Sequence, residues 1–385
     1  MKEENDKKTT LEQYENVNEV VLNKNETQES KEQKGKNKDK KILIINIILV
    51  IAICIGVTIY MINVDGIDNI VAVLKAADYK WVLIGLLCLI GMWIAEAITV
   101  HIPIKKLYPD NKFSTSFKAT MVGQLFNNLT PFASGGQLME AYEFSKSGKR
   151  VSDALSILSM KFVIAQTTLI IFTMLVVISQ FSFFAEAFKS YVWIGIIGIL
   201  LNILIIILLF LVGTKKEFVM RISRPIIKLV GKIRIGKFRF IKDVDAKIEK
   251  FDESVTNFSN QFKEMKKQRK TVIEIAIIGL IQSILYYAIT YMVYRAFGNS
   301  GTNFLQIITV QAFLMLIMTV TPTPGAGLGA EGGFFLLFNS IFKNGTINMS
   351  ILFWRIYIFY LPIIVGALFM IPSKKDKQKI EIKLK

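Results

Sequence analysis

The hydrophobic pattern along the chain predicts six membrane-spanning helices. Each is a nearly continuous apolar run of about twenty residues or more, which at 1.5 Å per residue crosses ~30 Å of hydrocarbon. The runs cover residues 42–62, 81–103, 151–180, 191–213, 271–297 and 351–371. Only helices and closed barrels satisfy their backbone polar groups in lipid. We therefore expect an all-α polytopic membrane protein.

Two further apolar regions, residues 114–145 and 304–342, are interrupted by proline and glycine. We call residues 127–137 the first break and residues 321–331 the second break; each combines Thr-Pro with clustered glycines. Proline and glycine end helices, and each remaining half is only about fifteen residues long, too short to span. Bare backbone is tolerated at membrane depth only where protein covers it or it lines a cavity. The pattern therefore predicts two re-entrant hairpins of half-helices.

The charges of the loops predict how these hairpins enter the membrane. Basic segments favour the cytoplasm, and they precede residue 42, include Lys105 and Lys106, and occupy residues 146–150, 215–270 and 374–385. Six spans satisfy this rule only if the first hairpin enters from the cytoplasm and the second from outside. The pattern thus predicts an inverted repeat in a bacterial plasma membrane, with both termini cytoplasmic. Matched breaks in two inverted halves are typical of a transporter's binding site.

The chain is expected to have three parts. Residues 1–41 form a charged tail that we predict to be disordered and cytoplasmic. Residues 42–371 form the integral membrane domain, and within it residues 215–270 are a basic cytoplasmic insert of amphipathic helices. Residues 372–385 form a basic cytoplasmic tail.

The composition narrows the chemistry. Of 385 residues, 52% are hydrophobic, and the formal net charge is +17. The only histidine, His101, makes a multi-histidine metal site or a Ser-His-Asp triad improbable, so no catalytic residue, metal or cofactor is predicted. Both cysteines, Cys54 and Cys88, lie in apolar runs, which argues against a disulfide framework. The positive charge is assigned to loops on anionic lipid rather than to nucleic-acid binding.

The breaks supply the candidate binding residues. A half-helix that begins after the glycines presents free N–H groups and a partial positive charge, which suit a phosphate. The alternative is that the breaks are proline kinks that help helices pack. The candidate substrate-binding residues are Asn127, Asn128, Thr130, Gly135, Gly136, Gln137, Glu140, Thr321, Thr323, Gly325, Gly329, Glu331 and Arg355.

Five ionisable residues lie at membrane depth, where charge is costly and a functional role is the default expectation: Glu96, Glu140, Lys161, Glu331 and Arg355. We expect Glu140 and Glu331 in the first turns of half-helices. There they would cap the helix dipole, contact a cationic headgroup or carry a proton. Arg355 either snorkels to the interface or points inward to Glu331 or a lipid phosphate.

Three motifs in these regions resemble a known family. They are the block Asn128-Leu129-Thr130-Pro131-Phe132 with Gly135-Gly136-Gln137, the run from Pro322 to Glu331, and the block of Arg355, Tyr360, Pro362 and Gly366. Together they resemble the lysylphosphatidylglycerol synthase/flippase membrane-domain family over residues 42–371.

The resemblance implies a lipid-translocating membrane domain, often joined to a cytoplasmic aminoacyl-transferase domain. The larger enzyme makes lysylphosphatidylglycerol and confers resistance to cationic peptides. The chain ends shortly after its last predicted span, so we do not expect the transferase domain here. We expect a flippase-like transporter of a phospholipid or glycolipid headgroup, with a membrane lipid as its partner and a homo-oligomer left open. The alternatives are a phosphatidylglycerol lysyltransferase-type membrane enzyme and a membrane partner of a separate lipid synthase.

Overall fold

The computed structural model describes residues 66–183, 210–232, 243–319, 323–343 and 345–370, with isolated positions elsewhere and the two short strands named below. Both predicted charged tails and most of the predicted spans 42–62 and 191–213 lie outside the described residues. The chain divides into two units, Met1–Ile59 and Tyr60–Lys385. The architecture below is that of the second unit.

The described part of this unit is helical except for one pair of two-residue strands. The elements are α1 (Ile67–Ala76), α2 (Tyr79–Leu107), α3 (Phe113–Leu129), α4 (Gly135–Lys146), α5 (Val151–Ser179), α6 (Lys216–Lys232), β1 (Arg234–Ile235), β2 (Phe238–Arg239), α7 (Val244–Lys267), α8 (Arg269–Ala296), α9 (Phe304–Thr319), α10 (Gly327–Phe338), α11 (Ile347–Arg355) and α12 (Leu361–Met370). The short 3₁₀ turn Pro131–Ala133 joins α3 to α4, and the short 3₁₀ turn Pro324–Ala326 precedes α10.

Four of the described segments are long and apolar enough to cross a membrane: α2, α5, α8 and Ile347–Met370. They coincide with four of the predicted runs. The expectation of an all-α polytopic membrane protein is thus confirmed. The last span differs in detail from a single helix, because a π-helical turn, Ile356–Tyr360, separates α11 from α12. Such turns are rare and often mark functional sites.

The same series of elements occurs twice. In residues 79–179, the first repeat, α2, α3, a 3₁₀ turn, α4 and α5 have 29, 17, 3, 12 and 29 residues. In residues 269–370, the second repeat, α8, α9, a 3₁₀ turn, α10 and the last span have 28, 16, 3, 12 and 24 residues. The two halves therefore share one plan despite their different sequences.

The two repeats are inverted with respect to each other. Their equivalent helices α2 and α8 pack antiparallel along their whole length. At one end the Asp78 N–H donates to the Ala296 carbonyl at 2.9 Å. At the other end, which we call the basic end, Lys106 donates to the hydroxyl of Thr271. Because the first helices of the repeats run in opposite directions, the repeats do too.

The first hairpin, α3 with α4, opens at the basic end. Lys118 on α3 lies 3.7 Å from Glu143 on α4 near the open end, while Gly123 faces Glu140 farther along. The two helices are thus antiparallel. The backbone N–H of Arg150, which follows the hairpin, donates to the hydroxyl of Tyr108, which follows α2. Both ends of the hairpin are therefore held beside the end of α2.

The second hairpin, α9 with α10, opens at the opposite end. The backbone N–H of Lys343 donates to the side chain of Asn299, just after α8, at 2.8 Å. Thr302, just before α9, donates from its N–H to the hydroxyl of Tyr294 on α8. At 1.5 Å per residue, helices of 12 to 17 residues reach about 18–26 Å, less than the ~30 Å hydrocarbon core. The two hairpins of half-helices thus open at opposite ends of this unit; their entry into the membrane from opposite faces stays a prediction.

The predicted basic insert contains the two helices α6 and α7, joined by the short antiparallel pair β1 and β2, which the sequence did not predict. Arg224 on α6 binds Asp252 on α7 at 2.6 Å. The apolar side chains of α6 recur at helical spacing and are exposed: Phe218, Ile222, Ile226 and Leu229. α6 therefore presents an exposed apolar face.

Candidate functional site

The tips of the two hairpins meet. The 3₁₀ turn Pro131–Ala133 lies against the 3₁₀ turn Pro324–Ala326, and the latter also packs on α3. Two breaks almost two hundred residues apart in the sequence thus form one structural feature.

The two turns share an unusual backbone conformation. Phe132 has φ 54° and ψ 22°, and Gly325 has φ 56° and ψ 21°; the alanines that follow, Ala133 and Ala326, both have φ 51°. Within the described residues, Phe132, Ala133 and Ala326 are the only non-glycine residues with positive φ. This conformation costs an L-residue about 1–2 kcal/mol, so it persists only where the surroundings impose it, often at functional sites.

The two glutamates that follow the breaks, Glu140 and Glu331, do not lie where the sequence analysis expects them. With Pro131 placed on Pro324, Glu140 falls on Gly333, and Glu331 falls on Leu138. The glutamates are therefore not equivalent. Neither lies in the first turn of its helix either, since α4 and α10 carry no acidic residue there. The expected capping of the helix dipole is thus wrong for both.

A cavity of about 400 Å³ lies where the breaks meet. Five of the predicted binding residues line it: Asn127, Asn128, Thr323, Gly325 and Arg355. Six polar residues that the sequence analysis missed also line it: Gln124, Gln166, Gln282, Ser283, Tyr286 and Tyr287. They come from α3, α5 and α8, so both repeats contribute to the wall.

The other predicted binding residues lie outside the cavity wall: Thr130, Gly135, Gly136, Gln137, Glu140, Gly329 and Glu331. The hydroxyl of Thr130 accepts from the Gly135 N–H at 2.9 Å and donates to the Phe126 carbonyl at 2.7 Å. Gly136 packs so closely on Asn127 that a Cβ would lie 2.0 Å from its side-chain oxygen. Thr130, Gly135 and Gly136 therefore shape the tip of the first hairpin. Thr321 lies outside the described residues.

Arg355 points inward and holds the second break. Its side chain is 3% exposed. Nε donates to Glu331 at 3.2 Å, and Nη1 and Nη2 donate to the carbonyls of Gly325 and Gly327 at 3.0 and 3.1 Å. Arg355 ends α11 just before the π-helical turn, and Phe359 in that turn packs directly on Gly325. The guanidinium therefore fixes the left-handed backbone while it faces the cavity.

Several buried polar atoms around the cavity have no hydrogen-bond partner in the described structure. They are Nε2 of Gln166, the hydroxyl of Tyr287 and the hydroxyl of Thr323. Buried polar groups are almost always satisfied by protein, water or ligand. Three residues of the cavity wall thus carry a polar group that the described protein leaves unpaired.

The three membrane-depth charges of the first repeat, Glu96, Glu140 and Lys161, form a second cluster that Gln124 connects to the cavity wall. Lys161 Nζ lies 3.2 Å from Glu96 Oε1. Gln124, which lines the cavity, donates to the other oxygen of Glu96. The charges of Lys161 and Glu96 also act on Glu140. The membrane-depth charges of this repeat are therefore brought together rather than scattered.

Comparison with known proteins agrees with this architecture. A UPF0104 membrane protein of Archaeoglobus fulgidus is 20% identical over 303 residues, which cover 77% of this chain and 88% of the archaeal protein. The family model of the lysylphosphatidylglycerol synthase TM region matches residues 45–366. That match includes the first repeat, all but the last four residues of the second, both breaks and Arg355, so the chain belongs to the family of the lysylphosphatidylglycerol synthase transmembrane region.

Proposed function

We propose that this protein moves a membrane lipid between leaflets, with the lipid headgroup held in the cavity between the two breaks. The observation that carries the proposal is that two re-entrant hairpins of opposite orientation enclose one polar cavity. Discontinuous helices of inverted repeats form the substrate sites of many transporters. In such proteins irregular backbone at membrane depth is found where it lines a cavity.

The chemistry of the wall favours a phosphate-containing headgroup. A volume of about 400 Å³ suits a small polar group. Three of the five N–H donors of Arg355 bind described protein groups. We assign the remaining donors to a phosphate, which they would bind with strong, charge-assisted hydrogen bonds. The unsatisfied groups of Gln166, Tyr287 and Thr323 would complete its coordination. The substrate class is an anionic phospholipid or a lipid-linked headgroup.

Orientation follows from charge. The basic end, where the first hairpin opens, carries Lys105, Lys106, Lys146, Lys149, Arg150, Arg269 and Lys270. We place this end in the cytoplasm of a bacterial plasma membrane, with both termini on that side. The cavity would open alternately to the two leaflets as one repeat rocks against the other.

A lipid-translocation assay tests the proposal. The full chain is reconstituted in vesicles that contain fluorescent phosphatidylglycerol, and movement is followed by quenching of the label in the outer leaflet. Arg355→Ala should slow movement by roughly tenfold to a hundredfold, since a charge-assisted contact is lost. Gln166→Leu should slow it less and should leave folding intact, because Nε2 of Gln166 has no partner among the described residues.

The matched control is Arg295→Ala, which removes a guanidinium stacked on Trp81, 4.8 Å from the ring centre, outside the cavity. It should move lipid at the wild-type rate. Wild-type rates for both Arg355→Ala and Gln166→Leu would refute the site. Labelled lysine incorporated into lipid by this chain alone would favour a transferase instead. A soluble synthase that co-purifies with a chain unable to move lipid would favour a membrane partner.

A further inference from the structure

The two repeats differ in their buried charges. In the first repeat Lys161 pairs with Glu96, and in the second Arg355 pairs with Glu331; both pairs are 3.2 Å apart. The first repeat also contains Glu140. The position equivalent to Glu140 in the second repeat is Gly333, which has no side chain. At position 140 the first repeat thus has a buried carboxyl group that the equivalent position of the second repeat lacks.

Glu140 is buried and incompletely bonded. Its side chain is 3% exposed, and Oε2 has no hydrogen-bond partner among the described residues. It packs on Gly123 of α3 so closely that any side chain there would collide with it. An isolated carboxylate in such a place is costly unless paired or protonated.

The charged groups that face Glu140 come from two neighbouring helices: Glu96 from α2 and Lys161 from α5. On its own helix, Glu143 turns instead to Lys146 at 2.6 Å and Lys118 at 3.7 Å. Two carboxylates share a single cation in the cluster, so full ionisation leaves one negative charge buried, and one proton removes it. A group in this setting changes its proton occupancy when its access to water changes.

We propose that Glu140 is a proton-carrying residue that couples lipid movement to a proton gradient. The inference rests on the proposed function. The Glu140 carboxylate forms an O–H bond with a proton taken from water on one side of the membrane. It returns the same proton to water on the other side, and no bond of the lipid changes. Gln124 links the two sites, since it lines the cavity and binds Glu96 of the cluster.

The test uses the same vesicles, with fluorescent phosphatidylglycerol in the membrane and a pH-sensitive dye inside. Lipid movement is measured with equal pH on both sides and with an imposed pH difference. The wild-type chain should move lipid roughly fivefold or more faster under one direction of the gradient, the size of a typical coupling free energy. Glu140→Gln should move lipid at one rate under both conditions, because its amide cannot release a proton.

Glu140→Asp keeps an ionisable group and should keep the response to the gradient. Glu143→Gln is the matched control, since it neutralises a buried carboxyl one turn further along α4 that pairs with lysines outside the cluster. It should respond as the wild type does. Thermal unfolding of each variant in detergent reports whether it is folded. If Glu140→Gln does not fold, the dye inside vesicles with the wild-type chain tests the proton-carrying role. Lipid movement should then change the internal pH, because it should carry protons into or out of the vesicles.

The outcomes separate the two proposals. The role of Glu140 is overturned if the wild-type rate of lipid movement does not depend on the pH difference. It is also overturned if the rate still depends on it in folded Glu140→Gln. Either result leaves lipid translocation standing. A chain that moves no lipid at all overturns the proposed function, and the proton-carrying role falls with it.

Discussion

At the residue scale, the sequence identified the breaks but not their conformation. Proline and glycine indicate where a helix ends, so Asn127 and Thr323 could be selected from sequence. Arg355 could be selected because it is a charge at membrane depth. Nothing in the sequence shows that Phe132 and Ala133 take the same left-handed backbone as Gly325 and Ala326. That conformation is imposed by tertiary contacts such as the three hydrogen bonds of Arg355.

The missed cavity residues have a different cause. Gln166 lies in α5 and Tyr287 in α8, both long apolar helices that the sequence treats as uniform spans. In a bilayer the face toward lipid and the face toward protein are both apolar, so the pattern does not distinguish them. Only the packing of α5 and α8 around the hairpin tips shows which of their polar side chains face the cavity.

Neighbouring substitutions in the second break should have unequal effects. Gly325→Ala places a Cβ 2.0 Å from Cε2 of the buried Phe359 ring and also puts alanine at φ 56°. Overpacking and backbone strain together should destabilise the protein by about 2–4 kcal/mol. Ala326→Gly relieves a left-handed alanine and should be neutral or stabilising by up to about 1 kcal/mol. Unfolding in detergent measures both, and equal losses for the two variants would contradict the strained turn.

At the element scale, the apolar runs predicted four described spans to within a few residues, because length and hydrophobicity alone define a spanning helix. The hairpins were also predictable, since half-helices are too short to cross. The π-helical turn Ile356–Tyr360 was not, because its residues are as apolar as those around it. It follows Arg355 and carries Phe359, and thus it belongs to the scaffold of the second break.

The packing of the last span on the first hairpin makes a sharp prediction for α12. A Cβ on Gly366 would lie 2.5 Å from the Met121 carbonyl oxygen and 2.7 Å from the Leu125 side chain, both on α3. Because a backbone atom cannot rotate away, Gly366→Ala should push the two helices apart. We expect a loss of about 1–3 kcal/mol and a lower midpoint of thermal unfolding in detergent.

The control for Gly366→Ala is Gly279→Ala on α8, where no atom beyond the glycine's chain neighbours and the backbone of its own helix lies within 4 Å of the added carbon. Alanine is the better helix former by about 1 kcal/mol, so this variant should be slightly stabilised. A Gly366→Ala protein as stable as the wild type would mean that α12 does not pack this closely on α3.

At the scale of the whole molecule, the inverted repeat explains why two weak motifs form one site. Equivalent helices α2 and α8 run antiparallel, so hairpins that follow them enter from opposite ends and their tips converge. The charge pattern of the loops carried this prediction, since it alone required opposite entry. The sequence could not show that the repeats differ in charge, because Glu140 and Glu331 look equivalent until the turns are superposed.

The orientation of the hairpins can be tested with two isosteric substitutions. Ser147 and Ser300 are both exposed; Ser147 follows the first hairpin at the basic end, and Ser300 precedes the second hairpin at the opposite end. In a chain with Cys54 and Cys88 replaced by serine, Ser147→Cys and Ser300→Cys each provide one thiol. If the basic end is cytoplasmic, a membrane-impermeant maleimide should label Ser300→Cys in intact cells and Ser147→Cys only in inverted membrane vesicles.

Labelling of both thiols from one side would place both hairpin openings on the same face, and the inverted arrangement in the membrane would then be wrong. Labelling with the two sides exchanged would keep the inverted repeat and reverse only its orientation.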